Sequence, residues 1–177
     1  MANSFQPEIW HDVFVMMGSA AAALVGLLFI VMSLYSNAIH GKPDYDMGAT
    51  IQAARNNTYH LLTVMVTAAL VLIPQPMLPL GAELAALHLF GLRLPVLFTY
   101  THFIQNRGGF PFSMVATIAA GYGLGAAGGA AFAMHSGWAP YFVSVSCIVL
   151  VVRSVLTAWL LMFGRPRNYE GGANGPA

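Results

Sequence analysis

The chain has 177 residues, of which 58% are hydrophobic and only 7% are charged, and its net charge is +1. A soluble domain carries about 25% charged residues, so this composition excludes a water-soluble fold, and the near-neutral charge gives no basis for binding nucleic acid. Several apolar runs have the length of about 20 residues that crosses a bilayer as a helix. They predict an all-α, polytopic membrane helix bundle with five transmembrane helices.

The first predicted helix covers about residues 13–35 and contains no charged residue, and Trp10 precedes it as an interfacial aromatic. Gly18, Ala22 and Gly26 repeat every four residues and predict a flat face for close helix packing. The segment GSAAAALVGLLFIVMSL, which begins at Gly18, resembles the first helix of a group of small, uncharacterised bacterial membrane proteins. This resemblance implies no function, but with the composition it indicates the bacterial inner membrane.

The second and third predicted helices are separated by a proline-rich turn. Helix 2 crosses at about residues 58–73 and ends before Pro74, because proline lacks the backbone donor that a helix needs. The segment after it, QPMLP, predicts a short, stiff turn. Helix 3 covers about residues 83–105.

The fourth predicted helix, at about residues 112–135, has the strongest small-residue pattern in the chain. Gly121, Gly125 and Gly129 recur every four residues, and small residues allow membrane helices to approach closely. We therefore expect helix 4 at the centre of the bundle or in an oligomer contact. Helix 5 covers about residues 140–163.

The basic residues predict how the chain is threaded through the membrane. With five spans, those that lie outside the apolar runs all fall on one side. They are Lys42, Arg55, Arg107, Arg165 and Arg167. That side is cytoplasmic by the positive-inside rule, which places the N-terminus outside and the C-terminus inside. We expect a single transmembrane domain over residues 1–164 and a disordered cytoplasmic tail over residues 165–177.

Two arginines, Arg93 and Arg153, lie inside apolar runs, and no Asp or Glu is expected to share the membrane interior with either of them. A charge at mid-bilayer costs about 3 kcal/mol or more, so it needs partners or water. Tyr100 shares a helix face with Arg93. These three residues predict a cavity for an anionic group, such as a lipid headgroup, a carboxylate, a cofactor propionate or a permeating ion. Alternatively, each arginine bonds carbonyl groups of neighbouring helices or faces a water-filled crevice.

Histidine spacing suggests a second kind of site. His88 and His102 are 14 residues apart, about 21 Å along one helix. This spacing resembles the cytochrome b pattern, in which histidines at this separation ligate two stacked haems. The resemblance implies haem b as cofactor, with His60 and His135 as the opposite ligands, although in that family the second pair also shares one helix. No HxxxH or cysteine-rich spacing predicts another metal site.

These observations predict a non-enzymatic integral membrane protein with a buried arginine site for an anionic group. It acts as a transport or channel-like unit or as an accessory subunit, in a homo-oligomer or a membrane complex. The alternative is a haem- or quinone-binding redox anchor with bis-histidine ligation. No nucleophile–His–Asp grouping indicates an enzyme, and the single cysteine, Cys147, excludes an intrachain disulfide.

Overall fold

The computed structural model describes the backbone of residues 7–39, 47–105 and 112–163, and the side chains of residues 8–34, 54–93 and 115–159. All elements in these ranges are α-helices, so the all-α prediction is confirmed for them. The helices are α1 (Pro7–Ile39), α2 (Met47–Leu72), α3 (Met77–Gln105), α4 (Phe112–Ala133) and α5 (Ala139–Phe163). The predicted tail at residues 165–177 lies outside the described ranges.

Three of these helices are long and apolar enough to cross a membrane. The qualifying segments are Glu8–Leu34 in α1, Val115–Ala133 in α4 and Ala139–Trp159 in α5. The part of α2 whose side chains the structure describes is more polar, because it contains Arg55, Asn57 and His60 near its start. Five spans and their orientation therefore stay predictions.

Two helices begin earlier than the sequence predicted. α1 starts at Pro7, since proline suits a first turn and Glu8 beside it complements the positive end of the helix dipole. α3 starts at Met77, so Pro79 lies inside its first turn, where the missing N–H costs no helical hydrogen bond. The turn between α2 and α3 is correspondingly shorter than predicted.

Four of the helices form a ring. α2 packs on α3, α3 on α4, α4 on α5, and α5 closes the ring against α2. Within the described ranges, no backbone contact joins α2 to α4 or α3 to α5, so these pairs face each other across the interior. α1 packs on the outside of the ring, against α2 and α5.

Contacts between helix termini define one end of the bundle. Near the start of α1, Trp10 lies edge-on to Tyr141 at the start of α5, with 4.7 Å between ring centroids. Gly81 at the start of α3 lies against the backbone of Ala133 at the end of α4. We call this the Trp10 end of the bundle.

α3 and α4 form the most extensive helix contact among the described residues. A Cβ at Gly129 would meet the backbone of Ala85 and Gly81, and a Cβ at Gly81 would meet the backbone of Gly129 and Ala133. Glycine at these positions allows the two backbones to touch. Part of the small-residue repeat of α4 therefore faces the interior of the molecule.

Candidate functional site

A stripe of buried polar side chains follows one face of α2. Its members are Asn57, His60, Thr63 and Thr67. Their spacing of three or four residues places them on one side of the helix. Because the cross-helix partners of Asn57, His60 and Thr63 belong to α4 and α5, this side faces the interior of the four-helix ring. The ring therefore has a polar lining along α2.

Tyr122 of α4 crosses the ring to meet this stripe. It is the largest fully buried side chain in the described ranges. Its hydroxyl oxygen lies 2.8 Å from Nδ1 of His60 and 3.5 Å from the hydroxyl oxygen of Thr63. Thr63 also donates to the backbone carbonyl of Tyr59, at 2.9 Å. The Tyr122 hydroxyl thus links α4 to α2 in the middle of the bundle.

His88 of α3 also contacts Tyr122. Its Nδ1 is 2.9 Å from the carbonyl oxygen of Leu84 and donates to it, so in the neutral ring Nε2 carries the lone pair. This Nε2 is buried and has no hydrogen-bond partner in the described part of the chain. The His88 ring meets the Tyr122 ring edge-on, with centroids 6.2 Å apart, and Gly125 lies against the imidazole.

The structure brings together two of the four histidines named as haem ligands. His60 and His88 both contact Tyr122, whereas the cytochrome b-like pattern assigns them to different haems. His135 is exposed just beyond α4, with a φ of 56°, where it forms a left-handed C-cap. The side chains of His102 and Tyr100 lie outside the described residues.

The structure does not bring the two arginines together. Arg93 is exposed and lies two residues, about 200° around the helix, from the buried Gly91, so it points away from the ring. Arg153 of α5 is half-buried, and its Nε is buried without a hydrogen-bond partner among the described residues. Arg153 also lies close enough to His60 for the two side chains to interact electrostatically.

Polar contacts tie α5 to its neighbours around Arg153. Asn57 donates from Nδ2 to the backbone carbonyl of Ser154, at 3.0 Å, and Ser146 donates to the carbonyl of Gly121, at 2.7 Å. The Oδ1 of Asn57 and the hydroxyl of Ser154 are buried and have no partner in the described part of the molecule. The surroundings of Arg153 therefore contain unused polar atoms on both α2 and α5.

No described carboxylate is placed to neutralise Arg153. The three in the described ranges are Glu8, Asp12 and Glu83. All three belong to the beginnings of α1 and α3, at the Trp10 end, whereas Arg153 is about 21 Å along α5 from that end. The site consequently carries a positive charge with a free N–H donor inside the bundle.

The predicted packing residues have different surroundings. Gly121 faces Val149 and Leu150 of α5, and Gly18 lies near Ala68 of α2, 3.1 Å from where a Cβ would stand. Other members of the α1 repeat do not face a neighbour: Ala22 is exposed and Gly26 has nothing within 4 Å in the described structure. The oligomer contact predicted for these faces stays a prediction.

Sequence reasoning missed the role of Tyr122 and of the α2 stripe. The spacing of Asn57, His60 and Thr63 is a helical signal that pointed to an interior face. Tyr122 gave no signal, because its partner His60 is 62 positions away.

No protein-family model, curated protein or solved structure matches the chain. The chemistry of the site therefore rests on its own geometry.

Proposed function

We propose that the protein crosses the bacterial inner membrane five times, with its N-terminus outside and its C-terminus in the cytoplasm. α2 and α3 have 26 and 29 residues, more than the roughly 20 that a span requires. Both expose large apolar side chains on their outer faces, including Leu62 and Val66 on α2, and Leu89 and Phe90 on α3. Such a surface suits lipid better than water.

We further propose that the protein is a transport or channel-like unit, or an accessory subunit, that binds an anionic group at Arg153. The observation that carries this proposal is the buried Nε of Arg153, which has no partner in the described residues. An unpaired charge inside a membrane protein is costly and is commonly functional. Arginine favours planar oxyanions because its fork of N–H groups matches carboxylate and phosphate oxygens.

Anion flux through the purified chain in liposomes tests this function. Chloride and small carboxylates serve as probes, and Arg153→Gln removes the charge while keeping a polar side chain. We expect Arg153→Gln to abolish anion-dependent flux or anion-dependent thermal stabilisation, and Arg153→Lys to retain part of it, because lysine keeps the charge but loses the fork. Wild-type responses in Arg153→Gln would disprove an anion site at this residue.

A redox anchor that binds haem or quinone is the second candidate. It is favoured by His88, whose Nδ1 donates to the Leu84 carbonyl while Nε2 keeps an unused lone pair, as metal-ligating imidazoles commonly do. The test is an optical spectrum in mild detergent, before and after dithionite. A Soret band that disappears in His88→Ala and His102→Ala would support haem binding. A colourless protein, expressed with adequate haem, would rule out haem binding.

A further inference from the structure

A cavity opens at the Trp10 end of the bundle, between the start of α1 and the end of α2. Its volume is about 420 Å³, within the range of about 300–1,000 Å³ that is usual for small-molecule sites. The residues that line it are Glu8, Trp10, His11, Phe14, Val71 and Leu72. This cavity is separate from the polar interior around Tyr122 and Arg153.

Three features of the cavity wall favour a positive charge. Glu8 contributes a carboxylate. Trp10 and Phe14 contribute aromatic rings, which attract cations over their faces. Val71 and Leu72 are the last residues of α2, where the helix dipole places partial negative charge. The cavity wall therefore combines the negative charge of a carboxylate, the negative faces of two aromatic rings and the negative end of a helix dipole.

The carboxylate of Glu8 remains available to a ligand. No ion pair or hydrogen bond of its side chain occurs with another described residue, whereas the other acids at this end have partners. Asp12 contacts Nδ1 of His11 at 3.1 Å, and Glu83 accepts a hydrogen bond from Gln75, also at 3.1 Å. The described side chains at this end include no Lys or Arg.

The wall composition selects an organic cation over a metal ion. Hard cations such as calcium take six or more oxygen ligands, and the described residues contain no group of three or more potential metal-ligating side chains. Aromatic rings beside a carboxylate instead match an alkylammonium group. The rings are held in place, since Trp10 packs against Phe14, with centroids 6.4 Å apart, and against Tyr141.

We propose that this cavity binds an alkylammonium group, supplied either by a lipid headgroup or by a free amine. The cation is held by the Glu8 carboxylate and by the rings of Trp10 and Phe14. This binding site does not depend on anion binding at Arg153, because the two sites lie at different levels of the bundle. The protein would then present a cation site at the membrane surface and a positive charge in its interior.

Fluorescence of Trp10 in the full chain tests this proposal. The background is Trp138→Phe with Trp159→Phe, so that Trp10 is the remaining tryptophan, in nanodiscs of phosphatidylglycerol, which has no ammonium group. Choline chloride is titrated at constant ionic strength beside its neutral isostere, in which carbon replaces nitrogen. We expect a saturable change with choline and none with the isostere.

Two substitutions and one matched control locate the response. Glu8→Gln should weaken choline affinity about tenfold or more, equivalent to about 1.4 kcal/mol. Leu72→Lys should weaken it similarly, by placing a competing ammonium beside the cavity. Glu83→Gln should leave it unchanged, because Glu83 is an acid at the same end but outside the cavity. Wild-type affinity in both Glu8→Gln and Leu72→Lys would overturn the proposal, as would an equal response to the isostere or no saturable response.

The source of the ammonium group is distinguished by changing the lipid. In phosphatidylcholine nanodiscs, a lipid headgroup that already occupies the cavity would abolish the response to added choline. A response that is equal in both lipids would identify a free amine as the ligand. Both results support an ammonium site, and they assign its ligand to the membrane or to the aqueous phase.

Discussion

Tyr122 shows how one side chain holds opposite sides of the ring together. Its hydroxyl is the hydrogen-bond partner of a buried imidazole on α2, and its ring contacts those of both His60 and His88. A Cβ at Gly91 would overlap the same ring, so α3 also depends on it. Tyr122 therefore forms a hydrogen bond with a buried imidazole and also packs at the point where α2, α3 and α4 meet.

Removing the Tyr122 hydroxyl should destabilise the protein. In Tyr122→Phe the ring remains but Nδ1 of His60 loses its partner, and a buried polar atom left unpaired costs about 1–3 kcal/mol. Thermal unfolding in mild detergent measures the effect. Tyr59→Phe is the matched control, because Tyr59 is exposed and neighbours His60 in sequence. Equal stability of Tyr122→Phe and wild type would show that the bond contributes little.

The outward position of Arg93 gives an opposite expectation. Arg93→Leu should raise the free energy of unfolding by up to about 3 kcal/mol, because it removes a charge from an apolar surface. It should also leave the anion response assigned to Arg153 intact. The same unfolding and flux assays check both points. Loss of the anion response in Arg93→Leu would instead indicate that Arg93 and Arg153 bind the anion together.

For single residues, the sequence identified unusual charges better than it identified contacts between side chains. Arg153 was conspicuous because a guanidinium within an apolar run needs an explanation. Its separation from Arg93 was not predictable, because a position inside an apolar run does not determine in which direction the side chain points. The partnership of Tyr122 and His60 was equally hidden, since it depends on how two helices that are not neighbours face each other across the ring.

Among the helices, α3 and α4 are joined by backbone proximity. The repeat of Gly121, Gly125 and Gly129 correctly marked α4 as a helix with small residues at regular positions. The sequence left open whether this face meets the same molecule or a second copy, because glycine permits close approach to any partner. The described contacts of Gly125 and Gly129 lie within the chain, with His88 and Ala85 of α3.

A glycine pair on α4 tests this packing. A Cβ at Gly125 would overlap the imidazole of His88, whereas a Cβ at Gly123 would meet nothing within 4 Å in the described structure. Gly125→Ala should therefore destabilise the protein by about 1–3 kcal/mol through overpacking. Gly123→Ala should be neutral or slightly stabilising, since alanine favours the helix. Unfolding in detergent compares the two, and equal effects would argue against the close contact.

For the molecule as a whole, the polarity of each helix bears on how many helices cross the membrane. Composition predicted a membrane bundle, and α1, α4 and α5 are long and apolar enough to span it. α2 is harder to classify from sequence, because its polar residues lower its hydropathy although many of them face the interior. Hydropathy does not distinguish a polar side chain that meets lipid from one that meets another helix.

Cysteine labelling tests the proposed five-span topology. Cys147 is fully buried, so the native background should react little. Ile73→Cys, in the exposed turn between α2 and α3, should react with a membrane-impermeant maleimide in intact cells, because it lies outside only if both α2 and α3 cross the membrane. Asn106→Cys, after α3, should react only once the membrane is permeabilised. Labelling of both residues from the same side would contradict five spans.

The polar stripe of α2 has a consequence for biogenesis. Asn57 and His60 find their hydrogen-bond partners in α5 and α4, which leave the ribosome after α2 does. An α2 that enters the bilayer during synthesis must wait with these groups unsatisfied, and each such group costs several kcal/mol in hydrocarbon. Nascent chains that end before α4 should consequently be retained by the insertion machinery or degraded by quality-control proteases. The stable insertion of α2 thus depends on α4 and α5, which are synthesised after it.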